Sequence, residues 1–234
     1  MPDLAPPAAI TAARLQLFAP RCDYMIVAPY LARAALRCEI NTPRRVRHWL
    51  AQVSVETFGL TRLVESLDYS AERLLAVWPT RFPTLADAEV FAGSPQRLAE
   101  KVYGGRLGNV HPGDGARYIG RGGLMRTGLD GYRAAQAAFA KAGITVDLVG
   151  MPSMLSTNAY AWDDAANFWL QHGLNDVADA DAGEQIYATI QAQILGNETD
   201  DLESATRTIN GGLTGYPERL AALQRAATIW IDAA

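Results

Sequence analysis

The sequence has 234 residues, of which 49% are apolar and 20% charged, with a formal net charge of −4. This composition is typical of an ordinary globular domain, and the weak negative charge gives no support to nucleic-acid binding. Two cysteines cannot form a disulfide framework, and no apolar run reaches the roughly 20 residues that span a bilayer. We therefore expect one monomeric domain over residues 1–234, with residues 1–14 loosely ordered, no further binding module and no stable membrane insertion.

The first residues, Met-Pro-Asp-Leu-Ala-Pro-Pro, have no basic start, and proline interrupts their short apolar stretch. This pattern does not fit a secretory signal peptide. We therefore expect the protein to be made in the cytoplasm, and any extracellular substrate to be reached by another export route.

Helical periodicity dominates the chain, and alternating β patterns are scarce. Thr42 can cap a helix whose first residue is Pro43, a position that suits proline. The sequence thus predicts a mostly α fold with little or no β structure. The expected helices are one from Pro43 onward and those over residues 10–19, 24–38, 71–78, 84–92, 95–103, 129–142, 159–172, 183–195 and 217–231.

Glu56 lies on the helix that begins at Pro43. Apolar residues recur there at helical spacing and form one stripe: Val46, Trp49, Leu50 and Val53. At about 100° per residue, Glu56 falls on the flank of this stripe. Partial desolvation there favours a neutral carboxylic acid, as a general acid requires. A boundary glutamate with a packed stem and a solvated head fits the position equally well.

Glu65 follows nine residues later and cannot use the same helix face. Nine residues make about two and a half turns, so its side chain would point the opposite way about 13 Å further along. Gly59 is a plausible place for a turn that brings the two carboxyls together. Paired carboxyls are the usual equipment for glycoside hydrolysis, and a separation of about 6.5–9.5 Å implies inversion.

Two glycine-rich segments follow, Gly-Arg-Gly-Gly at 120–123 and Asn-Gly-Gly at 210–212. The first removes side chains where a bulky polymer could approach, and it fits neither the dinucleotide nor the Walker pattern. The second is a turn signal. The histidines have no metal-ligand spacing, so we expect no metal and no cofactor: His48, His111 and His172.

Taken together, these motifs resemble glycoside hydrolase family 19, in particular its chitinase-like endolysins of phages and prophages. The resemblance covers about residues 15–230. Four blocks carry it: Trp-Leu-Ala-Gln-x-x-x-Glu with Leu-Val-Glu-Ser-Leu-Asp-Tyr-Ser; Tyr-x-Gly-Arg-Gly-x-x-x-x-Thr-Gly-x-x-x-Tyr at 118–132; Phe-Trp with Gly-Leu-Asn at 168–175; and Ile-Asn-Gly-Gly with Arg219. It implies a lysozyme-like helical fold with a central cleft between two lobes.

The resemblance also implies roles for single residues. Glu56 matches the general acid, Glu65 the base that activates water, and Thr127 the hydroxyl that helps to hold this water. The implied substrate-binding positions in the cleft are Tyr118, Arg121, Met125, Asn210 and Arg219. Of these, Asn210 would bind sugar, and Arg219 would steady the carboxylate of the acid.

Several positions depart from the family pattern. Val55 replaces a histidine, Met125 a glutamine, and Gly131 an asparagine, while Arg126 precedes Thr127. Methionine lacks the paired donor and acceptor that glutamine offers a sugar hydroxyl. Residues 180–207 also form a longer segment than in the family. These departures affect the expected sugar contacts more than the two glutamates.

The resemblance implies an endolysin-type muramidase that hydrolyses the glycan strand of peptidoglycan by inversion. Such an enzyme would reach the wall after release through a membrane lesion. Three alternatives remain: a chitinase on N-acetylglucosamine polymers, a non-catalytic sugar-binding or phage structural protein, and a lytic transglycosylase. The last needs one glutamate and no attacking water.

Overall fold

The computed structural model describes residues 6–181, 185–186, 189–190 and 216–231. These residues form helices joined by turns, and their only β pairings are isolated bridges. None of the described helices is long and apolar enough to cross a membrane. The helices are α1 (Ala12–Phe18), α2 (Tyr24–Arg37), α3 (Pro43–Glu56), α4 (Ala71–Val77), α5 (Leu85–Glu89), α6 (Pro95–Tyr103), α7 (Asp114–Arg117), α8 (Gly128–Lys141), a 3₁₀ helix (Pro152–Ser156), α9 (Asn158–Gln171), α10 (Leu174–Asp179) and α11 (Tyr216–Ala227).

Helix α3 is the element on which the largest core is built. Its start is confirmed, because the Thr42 hydroxyl accepts a hydrogen bond from the Arg45 backbone N–H and Pro43 occupies the first turn. The predicted stripe is fully buried against α10 and α11. Burial of this stripe fixes the rotation of α3, and the same rotation leaves Glu56 at its edge.

Two smaller apolar clusters lie beside the main core within the described part of the chain. Helices α4, α5 and α6 enclose one around Leu74, Phe82 and Leu98. The other lies beneath α8 and contains Tyr132 and Phe139. The segments that join these clusters to the main core, residues 57–70 and 118–127, form the walls of a cleft.

The mostly helical prediction is confirmed, with corrections at the level of single elements. The predicted helix over 84–92 is shorter, Leu85–Glu89, and α7 and α10 were not predicted. Both are short helices that follow a glycine with positive φ, Gly113 or Gly173, and they lack a long apolar period. Of the predicted helix over 183–195, only residues 185–186 and 189–190 are described, and they are helical. Asn210 and most of the long segment 180–207 lie outside the described residues.

Candidate active site

Glu56 is the last residue of α3, and its partner comes from α11. A guanidinium nitrogen of Arg219 contacts Oε1 of Glu56, and the other terminal nitrogen donates to Gln52 Oε1 at 2.8 Å. The side chains of Arg219 and Glu56 are 5% and 11% exposed. This ion pair is therefore shielded from solvent, and it holds the Glu56 carboxylate in one orientation at the edge of the cleft.

The chain reverses direction directly after α3, as predicted at Gly59. Three successive residues have positive φ: Phe58 (54°), Gly59 (79°) and Leu60 (64°). The following segment then runs beside the glycine-rich loop, where Glu65 N–H donates to the Gly120 carbonyl at 2.9 Å and Val64 bridges Arg121. The turn and this pairing place Glu65 on the opposite wall from α3.

Glu65 is surrounded by hydrogen-bond donors. The Gly120 backbone N–H donates to its Oε1, and the Tyr103 hydroxyl donates to its Oε2 at 2.8 Å. Burial raises the pKa of Glu65, while these two donors and the charge of Arg121 act to lower it. The site thus combines a desolvated carboxyl with contacts that favour its ionised form.

Thr127 lies beside the same carboxyl. A Cβ built on Gly120 would lie 3.2 Å from both the Thr127 hydroxyl oxygen and the Glu65 carboxyl group. Both groups therefore face the small volume next to this glycine. The Thr127 hydroxyl donates to the Met125 carbonyl at 2.8 Å, which leaves its oxygen lone pairs as acceptors.

The two glutamates line one cleft of about 250 Å³, together with Val55, Arg62, Tyr69 and Met125. Met125 has a φ of 48° and is 8% exposed, so most of its side chain is buried in the cleft wall. The two departures Val55 and Met125 therefore give the cleft an apolar surface where the family pattern has polar groups.

One contact explains Arg126 and Gly131, the two remaining departures from the family pattern. Arg126 forms a buried double contact with Asp164 of α9, with Nη2 at 2.8 Å from Oδ1 and Nε at 3.2 Å from Oδ2. A Cβ at position 131 would lie 3.1 Å from the Arg126 Cδ. Gly131 therefore provides the room that Arg126 needs to reach Asp164, and this pair anchors the loop that carries Thr127.

The other predicted binding residues differ in accessibility. Arg121 Nη1 donates to the Arg117 carbonyl at 2.9 Å and to the Tyr132 hydroxyl at 2.8 Å. Tyr118 is 4% exposed, and its hydroxyl donates to the Val149 carbonyl, so it offers little surface to a ligand. The structure thus places both residues within the wall behind Glu65.

Sequence reasoning assigned no role to Tyr103, Gln52 or Asp164. Tyr103 and Gln52 each contact a predicted site residue, and Asp164 holds Arg126, the neighbour of Thr127. Tyr103 ends an amphipathic helix, and there a tyrosine fits core packing as well as a site. Gln52 lies one turn before Glu56, a spacing that could have indicated a shared partner. Asp164 has no sequence signal that connects it to Arg126.

Paired glutamates in one cleft are the usual catalytic equipment of glycoside hydrolases. No family profile matches the sequence. A glycosyl hydrolase family 19 domain-containing protein of Haemophilus influenzae is 30% identical over 173 residues, which cover 73% of this chain and 72% of the relative. The chain therefore belongs to glycoside hydrolase family 19.

Solved structures agree with this assignment at the level of the fold. Chitinase C from Streptomyces griseus HUT6037 has a TM-score of 0.52 at 16% identity, over 97% of this chain and 78% of that one. A point mutant of chitinase C gives 0.56 at 16% identity, over 97% and 94%. The predicted helical fold and the prediction of a glycoside hydrolase are confirmed.

Proposed function

We propose that this protein hydrolyses the glycan strand of peptidoglycan by an inverting mechanism in which Glu56 is the general acid and Glu65 the general base. One observation carries the proposal: the two carboxyls line the same cleft and have different partners, a buried guanidinium for Glu56 and neutral donors for Glu65. Two titratable groups with contrasting surroundings are the usual basis for acid and base roles in glycoside hydrolysis.

The surroundings of Glu65 suit a base. A carboxylate whose pKa is raised by burial accepts a proton more readily, while the donors from Tyr103 and Gly120 keep it oriented as an acceptor. The lone pairs of Thr127 face the same volume. A water placed there would donate one hydrogen to Glu65 and the other to Thr127, with its own lone pair directed into the cleft.

Glu56 would protonate the leaving oxygen from the other wall. Arg219 would stabilise the carboxylate that remains after the proton has been transferred.

The proposal can be tested on purified sacculi, the isolated peptidoglycan of bacterial cells, by measuring the release of reducing sugar. Wild type is expected to release it, and Glu56→Gln and Glu65→Gln are each expected to lose at least about a hundredfold in rate. Glu89→Gln is the matched control, since Glu89 is exposed on α5 outside the cleft. No release by wild type would refute the proposed substrate.

The assignment of acid and base can be tested separately with an activated aryl glycoside of N-acetylglucosamine. A good leaving group needs little protonation, so Glu56→Gln should retain much of its activity on this substrate. Glu65→Gln should lose activity on both substrates. The reverse pattern would exchange the two roles, and the anomer released first would show whether the reaction inverts.

A chitinase is the second candidate, favoured by the two chitinase C structures. Cleavage of chitin oligomers with no action on sacculi would select it. Anhydro-sugar products from sacculi would instead indicate a lytic transglycosylase, for which Glu65 would be dispensable. Within the leading proposal, the enzyme acts as a phage-type lysin that reaches the wall through a membrane lesion.

A further inference from the structure

The turn after α3 presents an aromatic ring between two arginines. Phe58 is 59% exposed although it has a positive φ, which is unfavourable for a bulky residue. The guanidinium carbons of Arg21 and Arg62 lie 5.4 and 5.3 Å from the centre of its ring. Apolar burial does not account for Phe58, but its two cation–π contacts hold both arginines at this place.

The same turn separates two depressions. Phe58 and Arg62 line the cleft that contains Glu56 and Glu65. Gly59 and Arg21 line a second depression of about 280 Å³, together with Phe18, Ser54 and Arg225. The two depressions therefore adjoin the same turn, one on the side of Phe58 and the other on the side of Gly59.

The second depression and its rim are cationic and partly apolar. Arg225 donates to the Phe18 carbonyl at 2.9 Å and lies over the Phe18 ring. Arg21 and Arg62 are exposed, and across the described residues neither forms an ion pair with a carboxylate. Positive charge gathered here in a chain of net charge −4 favours an anionic ligand.

We propose that Arg21, Phe58 and Arg62, with the adjoining depression, bind the peptide side branch of peptidoglycan and thereby select this polymer over chitin. The proposal rests on the proposed function, because it assumes a peptidoglycan glycan in the cleft. The side branch of peptidoglycan carries free carboxylates and alanine methyl groups, whereas chitin is an uncharged polymer without peptide. Guanidinium groups match the carboxylates, and the exposed ring of Phe58 matches the methyl groups.

The test compares two glycans from one preparation of sacculi: the peptide-bearing strand and the same strand after its peptides have been removed by an amidase. The measured quantity is the ratio of kcat/KM for the two. Wild type should favour the peptide-bearing strand, and in Arg21→Gln/Arg62→Gln this ratio should fall about tenfold, because two charge-assisted contacts are lost. The wild-type preference should also weaken with added salt.

Two matched variants complete the design. Arg37→Gln removes the same charge from an exposed arginine at the end of α2, outside both depressions, and should keep the wild-type ratio. Arg21→Lys/Arg62→Lys keeps the charge and should retain part of the preference. Thermal midpoints of all variants confirm folding, which these exposed substitutions should preserve.

The outcomes separate the two proposals. If wild type cleaves both glycans and Arg21→Gln/Arg62→Gln leaves the ratio unchanged, the side-branch site is refuted and the proposed function stands. If wild type cleaves neither glycan, the proposed function fails, and the side-branch site fails with it.

Discussion

The hydrogen bond between Tyr103 and Glu65 can be removed with little change to the fold. Tyr103→Phe deletes only the hydroxyl that donates to Glu65 Oε2 at 2.8 Å. The ring stays packed against the cluster enclosed by α4, α5 and α6, so no cavity forms. The variant thus changes the surroundings of the proposed base while leaving Gly120 and Arg121 in place.

The size of the effect follows from the type of bond. A hydrogen bond to an ionised group contributes about 1.5–3 kcal/mol, and this contribution favours the Glu65 carboxylate over the protonated acid. The Tyr103 hydroxyl lowers the pKa of Glu65, so its removal raises that pKa further above the ordinary value. A base must be ionised to accept a proton. On the acidic limb of the pH profile, kcat/KM of Tyr103→Phe should therefore fall about tenfold to a hundredfold below that of wild type.

The assay is the pH dependence of kcat/KM on sacculi. Activity of Tyr103→Phe should be lost at a higher pH than that of wild type as the solution is acidified, and the two should converge toward alkaline pH. Tyr160→Phe is the control: its ring packs against Phe139 in the cluster beneath α8, away from both glutamates and Arg121, so its acidic limb should match wild type. If the acidic limb of the Tyr103→Phe profile coincides with that of wild type, Glu65 is not a base whose pKa depends on Tyr103.

Three further predictions concern the same cleft and the core. Gly120→Ala places a methyl group 3.2 Å from Glu65 and Thr127, so kcat should fall about tenfold or more with little change in thermal midpoint. Burial raises the pKa of Glu65 above its ordinary value of 4.5. The protonated carboxyl therefore stabilises the folded protein at low pH, and this stabilisation is lost as the pH rises through the folded pKa. Glu65→Gln should therefore be more stable than wild type at pH 7, and denaturant titrations should show this gap closing toward pH 4. Burial raises the pKa of Cys38 to about 11, so a disulfide reagent should label this thiol far more slowly in folded than in unfolded protein at pH 8.

Features that depend on neighbouring residues could be predicted from the sequence. The cap at Thr42, the buried stripe of α3 and the turn at Gly59 all follow from local chemistry. So does the position of Glu56 at the edge of the stripe, because helix geometry relates residues within a few turns. Trp49 and its apolar neighbours belong to the core for the same reason.

Contacts between distant residues could not be predicted in this way. Tyr103 lies 38 positions from Glu65, and Asp164 lies 38 positions from Arg126. No periodicity links such pairs, since only the folded arrangement of the helices brings them together. Family resemblance indicated Arg219 as the partner of Glu56, but it could not indicate Tyr103, which lies outside the blocks that carry the resemblance.

Position 131 shows that substitutions away from the family pattern can preserve a site. An asparagine there would force the Arg126 side chain, whose Cδ lies 3.1 Å from a Cβ at this position, to shift by a few tenths of an ångström and would strain its buried pair with Asp164. Loss of one member of a buried pair costs about 3–5 kcal/mol, so a strained pair should cost Gly131→Asn a fraction of this, seen as unfolding at lower denaturant. In an Arg126→Leu/Asp164→Leu background both charges are absent, and Gly131→Asn should cost much less. Equal costs in the two backgrounds would show that Gly131 and Arg126 are independent, and the loop that carries Thr127 would then need another anchor.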